Sequence, residues 1–279
     1  MNKIGLALSG GGIRGMAHIG VLQALEEAEI PVHALSGSSI GGLVAAAYAA
    51  GMSPQDMLHE VERFSNLRQL LTIVDWGMPQ RGLLQGHKAM EYLARWIGDV
   101  TFDQLDISLA LVTADIKKGE RIIQREGSVL EAVRATIAMP GLFAPVERGE
   151  QLLVDGGLLD NLPTSAARDL GADVVVAVDV ATDRESIFLF TEGISRRWLI
   201  PDGLVDIVGM LVLSLETMIR EINRRNMAES PPDLLVCPAI PAGVTVLTGL
   251  SQTEGTIAAG KQAMTDALPK LRELTQAQA

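Results

Sequence analysis

The chain has 279 residues, 48% of them hydrophobic, which is enough to bury the core of one globular domain. Its formal net charge of −11 argues against a nucleic-acid surface, and no run of Lys and Arg exceeds two residues, so nucleic acid is not an expected partner. No apolar stretch reaches the roughly 18 uninterrupted residues that a membrane span requires, so the sequence predicts no transmembrane helix.

The first two units of the chain each consist of a strand, a loop and a helix. Residues 4–9 are apolar and precede a helix over residues 16–28, whose apolar positions recur at helical spacing. Residues 32–35 form a second strand, and the next helix begins near Ile40. Two such units in succession are typical of an α/β fold in which neighbouring strands run parallel.

The remaining predicted elements continue this alternation. In chain order they are a helix from Ser53-Pro54, a helix over 86–97, a strand pair over 107–115 and 121–125, a helix from Ser128 to about 138, a strand over 152–154, a strand over 174–180, a helix over 204–227, a strand over 234–237 and a terminal helix opened by Ser251. The run 174–180 is almost wholly β-branched, as in a strand buried on both faces of a parallel sheet. We expect a three-layer α/β sandwich, with a largely parallel central sheet flanked by helices, in a single domain over residues 1–279.

The chain contains one cysteine, Cys237, which cannot form an internal disulfide. Its neighbours in residues 234–238 are apolar, so the sequence predicts a buried thiol that acts as a small hydrophobic side chain. A lone cysteine also favours a reducing compartment. The N-terminal apolar run breaks at a glycine cluster and lacks the cleavage site of a signal peptide, so export is not predicted.

Residues 37–41 read Gly-Ser-Ser-Ile-Gly and lie between the second predicted strand and its helix. In a G-x-S-x-G turn the serine occupies a sharp corner that exposes its hydroxyl, and the helix N-terminus directs N–H groups at the same place. A side chain at Gly37 or Gly41 would crowd the turn or the neighbouring strand. Ser39 is therefore the candidate nucleophile, with a purely structural turn as the alternative.

A second cluster, Gly10-Gly11-Gly12-Ile13-Arg14-Gly15, lies between the first strand and its helix. It fits the dinucleotide fingerprint, but that interpretation needs an acidic residue at the end of the next strand, where the chain has Ser36 and Gly37. The alternative is an oxyanion hole, because consecutive glycines leave backbone N–H groups free to converge on an anionic oxygen. Arg14 would then steady the loop, meet a substrate phosphate or simply be solvated.

The histidines argue against the usual catalytic triad. They are His18, His33, His59 and His87, so no histidine can follow a late acid, as the triad of an α/β hydrolase requires. His33 and His59 are predicted to be structural, whereas His18 is a candidate for a residue that lines the site. The sequence has neither C-x-x-C nor H-E-x-x-H, so no metal and no cofactor is expected.

Asp155 lies between the predicted strand over 152–154 and two glycines, Gly156 and Gly157. A carboxylate bonded directly to a serine can take its proton where a dry site raises the carboxyl pKa, which is about 4 in water. In isolation, the Asp-Gly dipeptide more often forms a turn. Asp155 is the remaining candidate for the base, with that turn as the alternative.

The three motifs, in this order, resemble those of the patatin-like phospholipase family. Residues 134–140 and 160–163 also resemble segments of the family, and the likeness covers at least residues 4–180. The chain is similar to the short bacterial form and to the catalytic domain of neuropathy-target-esterase-type lysophospholipases. The resemblance to this form, in 279 residues, leads us to expect neither the cyclic-nucleotide modules nor the membrane anchors of larger members.

This resemblance implies a serine acyl-ester hydrolase, of phospholipase A or lysophospholipase type, with a Ser39–Asp155 dyad. The oxyanion hole that it implies comprises Gly10, Gly11, Gly12, Arg14 and Ile40, and the residues that support the motifs are Gly15, Gly37, Gly41, Gly156 and Gly157. Two alternatives remain open, namely a soluble carboxylesterase or thioesterase that uses the same residues, and a non-catalytic regulatory protein on the same fold.

The expected partner is a lipid or lysophospholipid substrate, which needs an apolar route to the site. The apolar segments 70–84 and 187–200 are candidates for a flap at a lipid surface, and the alternatives are packing on the core or a homodimer contact. The expected location is the cytoplasm, either free or in peripheral contact with the inner membrane surface.

Overall fold

The computed structural model describes residues 2–63, 85–180, 202–246 and 248–276. The strands are β1 (Ile4–Leu8), β2 (Ala34–Ser38), β3 (Ser108–Asp115), β4 (Glu120–Gln124), β5 (Val146–Arg148), β6 (Gln151–Asp155), β7 (Val174–Val178) and β8 (Leu234–Val236). The helices are α1 (Ala17–Glu27), α2 (Ser39–Ala49), α3 (Pro54–Arg63), α4 (His87–Ile97), α5 (Val129–Thr136), α6 (Thr164–Asp169), α7 (Asp202–Glu229) and α8 (Thr253–Gln276). Short 3₁₀ turns cover Gly12–Met16, Phe102–Gln104, Gly156–Leu158 and Leu250–Gln252.

The strands of the described residues form one sheet in the order β5-β6-β3-β2-β1-β7-β8, and β4 also pairs with β3. The pairs among β3, β2, β1, β7 and β8 are parallel, whereas β4, β5 and β6 pair antiparallel. β1 and β2 are neighbours, with Leu8 opposite Gly37 at their ends. The loops that follow the two strands therefore leave from the same edge of the sheet.

Side chains alternate across the central strands and build an apolar layer on each face of the sheet. Leu6 and Leu8 belong to the larger core, which they share with apolar residues of α1, α2, α5 and α8. Ala7 faces the other side, where it packs with Ala167 of α6. The predicted three-layer α/β fold with a largely parallel sheet is confirmed.

Helices α1 and α8 pack with their backbones in contact. A Cβ atom on Gly20 would lie 1.9 Å from the Ile257 carbonyl oxygen, and one on Gly260 would lie 1.9 Å from the Ala17 carbonyl oxygen. Only glycine permits this approach, because any larger residue would place a side-chain atom inside the facing helix. The contact fixes the C-terminal helix against α1, the helix that follows the glycine loop.

Several boundaries differ from those predicted. β2 continues to Ser38 although its last residues are small and polar, because β1 and β3 pair with it on both sides. The prediction for Ser251 is wrong, because residues 250–252 form a 3₁₀ turn and α8 begins at Thr253. Two elements were not predicted, β5 and α6, and each is too short to show a clear period. The cap at Ser128 is confirmed, since its Oγ accepts the Glu131 N–H.

The prediction that Cys237 is buried is also wrong, since its side chain is exposed. It follows β8, which ends the sheet, and along this segment Val236 is buried while Leu235 and Cys237 face outward. Alternation along an edge strand thus overrides the apolar character of the sequence. Within the described ranges, no helix combines the length and the apolar character needed to cross a bilayer.

Candidate active site

Ser39 begins α2 directly after β2, with a positive φ of 54°. This conformation is uncommon for a residue with a side chain and is seen at constrained, functional turns. A Cβ atom on Gly37 would lie 2.6 Å from the Gly41 carbonyl, and one on Gly41 would lie 2.3 Å from the Leu8 carbonyl oxygen of β1. Both glycines are therefore required by close backbone approaches, within the turn and to the neighbouring strand respectively.

Ser39 Oγ donates a hydrogen bond of 2.5 Å to Asp155 Oδ2. Asp155 ends β6, and its second oxygen, Oδ1, accepts the Gly157 N–H at 2.8 Å. Burial raises the pKa of Asp155 to about 6, although the hydrogen bonds from Ser39 and Gly157 act in the opposite direction. The structure thus brings the two predicted residues together, and the carboxyl group is still mostly ionised at neutral pH.

The backbone of both residues is held at the C-terminal end of α5. Ser39 N–H donates to Thr136 Oγ1 at 3.0 Å, and Asp155 N–H donates to the Ala138 carbonyl oxygen at 3.0 Å. The sequence marked residues 134–140 only by resemblance. The sequence around Thr136 does not show that this threonine supports a distant turn, because an ordinary buried threonine at the end of a helix would look the same.

The glycine loop lies beside Ser39. A Cβ atom on Gly10 would be 2.9 Å from Ser39 Cβ. The Gly10 N–H already donates to the Asn161 carbonyl oxygen at 3.1 Å, which removes it as an oxyanion donor in this conformation. Among the described residues, the N–H groups of Gly11 and Gly12 make no hydrogen bond, and the Ile40 N–H lies in the first turn of α2, where no intrahelical acceptor exists.

Asn161 braces the glycine loop through its backbone and its side chain. Besides accepting the Gly10 N–H, it donates from Nδ2 to the Gly10 carbonyl oxygen at 3.2 Å. Its own N–H donates to Oδ1 of Asn223, a buried residue of α7, at 3.1 Å. Helix α7 therefore supports the loop through two asparagines, neither of which the sequence singled out for this role.

Arg14 is buried, with 5% of its surface exposed, so the interpretation as a solvated arginine is wrong. Its Nε donates to the Gly11 carbonyl oxygen at 3.2 Å, and Nη2 lies 3.5 Å from Glu216 Oε1 of α7. Burial lowers the pKa of Arg14, and the nearby Glu216 carboxylate opposes this effect. These contacts favour the interpretation that Arg14 steadies the loop.

Two of the histidines, His18 and His33, are bonded to the backbone near the central strands. His18 is fully buried, and its Nε2 donates to the Ser9 carbonyl oxygen at 2.8 Å. Burial lowers its pKa to about 4, so it is neutral at pH 7 and holds the end of β1. His33 precedes β2, where its Nδ1 accepts the Ile4 N–H, and His59 is exposed on α3. The hydrogen bonds described for Ser39 run from its N–H to Thr136 and from its Oγ to Asp155, so neither involves a histidine.

The other motif glycines allow the loops of the site to touch. A Cβ atom on Gly15 would lie 2.3 Å from Ile40 Cγ2, and one on Gly156 would lie 2.3 Å from the Val112 carbonyl oxygen. A Cβ atom on Gly157 would lie 2.9 Å from Asn161 Oδ1. Gly15 and Gly156 therefore permit contacts with α2 and β3 respectively, and Gly157 permits a close contact within its own turn.

A comparison with known protein families shows where this site belongs. The sequence profile described as "Patatin-like phospholipase" matches residues 6–168, which is more than half of the chain and contains all three motifs. This chain belongs to the patatin-like phospholipase family. The resemblance seen in the sequence is thereby confirmed.

Several patatin-like relatives are much longer than this chain. An uncharacterized NTE family protein of Mycobacterium bovis is 38% identical over 64% of this chain and 30% of the relative, and a second one is 35% identical over 64% and 49%. Patatin-like phospholipase domain-containing protein 6 of Mus musculus is 33% identical over 71% of this chain and 15% of that protein. The chain thus spans less than half the length of these relatives.

A solved structure shows the same fold. VipD from Legionella pneumophila matches with a TM-score of 0.53 and 16% identity, over 96% of this chain and 67% of that chain. In the present patatin-like chain, α7, β8 and α8 lie beyond the residues that the family profile matches. Helix α7 and the segment between β8 and α8 nevertheless contact the site. The Val246 carbonyl oxygen accepts the Ile13 N–H at 3.3 Å, and α7 holds Arg14 and Asn161.

Proposed function

We propose that this patatin-like protein is a serine acyl-ester hydrolase that releases fatty acid from lipid esters, as a phospholipase A or lysophospholipase does. The observation that supports the proposal is the 2.5 Å hydrogen bond from Ser39 Oγ to Asp155 Oδ2. A serine hydroxyl is a weak nucleophile until an adjacent base takes its proton. With a pKa of about 6, Asp155 is a stronger base than an exposed aspartate and is ionised at pH 7.

In the proposed reaction, Ser39 Oγ attacks the acyl carbonyl carbon while its proton passes to Asp155 Oδ2. The tetrahedral intermediate collapses, and the leaving alkoxide takes the proton from Asp155. Water then attacks the acyl-enzyme with Asp155 as base, the fatty acid leaves, and Ser39 recovers a proton. Every proton that leaves Ser39 or water is thus returned, and no metal or cofactor takes part in these steps.

The oxyanion of each intermediate is held by backbone N–H groups in this proposal. Gly11 and Gly12 supply two of them, and Ile40 supplies a third at the positive end of the α2 dipole. The Gly10 N–H is left out because it bonds to Asn161. Arg14 acts on the hole indirectly, by holding the Gly11 carbonyl group.

Two adjacent serines give this proposal a matched test. Ser39→Ala and Asp155→Asn are each expected to lower ester hydrolysis by at least about 1000-fold. Ser38→Ala is the control, since Ser38 Oγ is buried, makes no hydrogen bond within the described residues and is expected to be dispensable. A fluorophosphonate probe should modify Ser39 in the wild type, as read by mass spectrometry. Near-normal turnover by the Ser39 or Asp155 variant would exclude the dyad.

Whether the enzyme prefers a lipid to a soluble ester is tested by comparing hydrolysis of monomeric and micellar substrate. Lysophospholipid hydrolysis is expected to rise above the concentration at which the substrate forms micelles, whereas an esterase for soluble substrates would saturate below it. Peripheral contact with the inner membrane surface and a homodimer are further proposals. The segments predicted to serve them, 70–84 and 187–200, lie outside the described residues.

A further inference from the structure

One short segment receives the backbone N–H groups of both Ser39 and Asp155. Thr136 Oγ1 accepts the first at 3.0 Å, and the Ala138 carbonyl oxygen accepts the second at 3.0 Å. The two acceptors are two residues apart at the end of α5, so the segment sets how far apart the two backbones lie. A separation fixed in this way also determines whether Oγ and Oδ2 are in hydrogen-bond contact.

Thr136 is built for this role by its own contacts. Its side chain is fully buried, and its hydroxyl donates to the Val112 carbonyl oxygen at 2.5 Å. Because the hydroxyl proton is committed to Val112, a lone pair of Oγ1 is directed to the Ser39 N–H. The methyl group Cγ2 packs at the start of α2, where a Cβ atom on Gly42 would lie 3.0 Å from it.

The N–H of Ser39 needs such an acceptor. It lies in the first turn of α2, where the helix supplies none. The residue also holds a positive φ of 54°, a conformation that persists only when its surroundings enforce it. An acceptor at this position therefore keeps the serine in the conformation that directs Oγ to the carboxylate.

We propose that Thr136 is a positioning residue, whose hydroxyl holds the Ser39 turn in the geometry that aligns Ser39 Oγ with Asp155. The inference rests on the proposed hydrolase function. Thr136 touches neither the oxyanion nor the acyl group in this scheme, and acts only through Ser39.

Three variants of the full chain test this role. Thr136→Val keeps the shape and removes the hydroxyl, and it is expected to lower kcat by about 10- to 100-fold with KM nearly unchanged. Thr136→Ser keeps the hydroxyl and should restore most of the rate. Thr256→Val is the matched control, because Thr256 of α8 is also fully buried and its hydroxyl donates to a backbone carbonyl, that of Gln252 in the turn before α8.

The pH dependence of kcat/KM gives a second measurement, which would stay unchanged if Thr136 had only a structural role. The hydrogen bond from Ser39 lowers the pKa of Asp155 against the effect of burial. If Thr136→Val loosens that bond, the acid limb of kcat/KM shifts to higher pH, and Thr136→Ser returns it. The Thr256→Val profile should match that of the wild type.

The outcomes separate this inference from the proposed function. If the probe labels wild-type Ser39 and Thr136→Val reacts at the same rate, only the role of Thr136 is wrong. If the wild type itself is not labelled, the hydrolase proposal fails and the inference fails with it. Equal losses of kcat in Thr136→Val and Thr136→Ser would also overturn the positioning role, because the loss would then not depend on the hydroxyl that accepts the Ser39 N–H.

Discussion

At the scale of single residues, the proposed hydrolysis depends on the charge of Asp155. Burial disfavours the charged carboxylate, so the group binds a proton more readily than an exposed aspartate does. In the proposed mechanism, this gain in basicity allows direct proton transfer from Ser39 without an imidazole between the two residues. A base whose pKa lies far below the pH of the reaction would accept the proton poorly. A base whose pKa lies far above that pH would already be protonated.

A pH profile follows from this pKa. Because Asp155 can serve as the proposed base only when it is ionised, hydrolysis is expected to rise with pH through about 6 and to level off above it. The measurement is kcat/KM for a soluble p-nitrophenyl ester, from about pH 4.5 to about pH 8.5. A profile that is flat through this range, in protein shown to remain folded, would contradict the assignment of Asp155 as the base.

At the scale of elements, the site is held by parts of the chain that follow the motifs. Helix α7 holds Arg14 through Glu216 and Asn161 through Asn223, and α8 packs on α1 through Gly20 and Gly260. The glycine loop thus lies between β1 and helices that come some 200 residues later. Its geometry is a property of the packed layers rather than of the loop alone.

Two glycines of α8 offer a matched pair of substitutions. Gly260→Ala would place Cβ 1.9 Å from the Ala17 carbonyl oxygen, and is expected to destabilise the protein by about 1–3 kcal/mol because the helices must separate. Gly255→Ala has only Pro241 Cγ near it, at 3.6 Å, and is expected to stabilise by up to about 1 kcal/mol through helix propensity. Urea unfolding measures both changes, and a Gly260→Ala variant as stable as the wild type or more so would show that the α1–α8 contact is looser than described.

At the scale of the whole molecule, two buried groups have opposite effects on stability. Burial raises the pKa of Asp155 to about 6, so its contribution to stability is present below the unfolded pKa of 3.8 and is lost as pH rises through about 6. Burial lowers the pKa of His18 to about 4 from 6.5, so its contribution is present above pH 6.5 and is lost as pH falls through about 4. The two effects largely cancel between these values.

Removing the buried carboxylate should therefore stabilise the inactive protein. At pH 7, Asp155→Asn is expected to raise the free energy of unfolding by up to about 3 kcal/mol, since a shift of one pKa unit corresponds to about 1.4 kcal/mol. Asp106→Asn, at an exposed position, should leave it unchanged. An Asp155 variant less stable than the wild type would show that the charge is better compensated than burial implies.

Removing the buried imidazole should have the opposite dependence on pH. His18→Gln keeps an N–H donor for the Ser9 carbonyl oxygen but does not titrate. Between pH 7 and pH 4, the wild type is expected to lose up to about 3 kcal/mol of stability relative to this variant. Parallel stability curves for the two proteins over that range would contradict a neutral buried His18.

The sequence by itself determined the features that depend on local geometry. The alternation of strands and helices follows from local periodicity, and the need for glycine at Gly37 follows from sterics within its own turn; each predicted the right class of structure. The absence of a late histidine also led to Asp155. Pattern alone, however, misplaced Cys237, because its exposure depends on which strand ends the sheet.

Only the tertiary structure decided how the site is held. Ser39 meets Thr136 across 97 residues and Asp155 across 116, and Asn161 meets Gly10 across 151. A hydrogen bond between such distant residues leaves no periodic signal in the chain, since it depends on how sheets and helices pack. For the same reason, the occupied Gly10 N–H and the buried Arg14 became visible only once the layers were assembled.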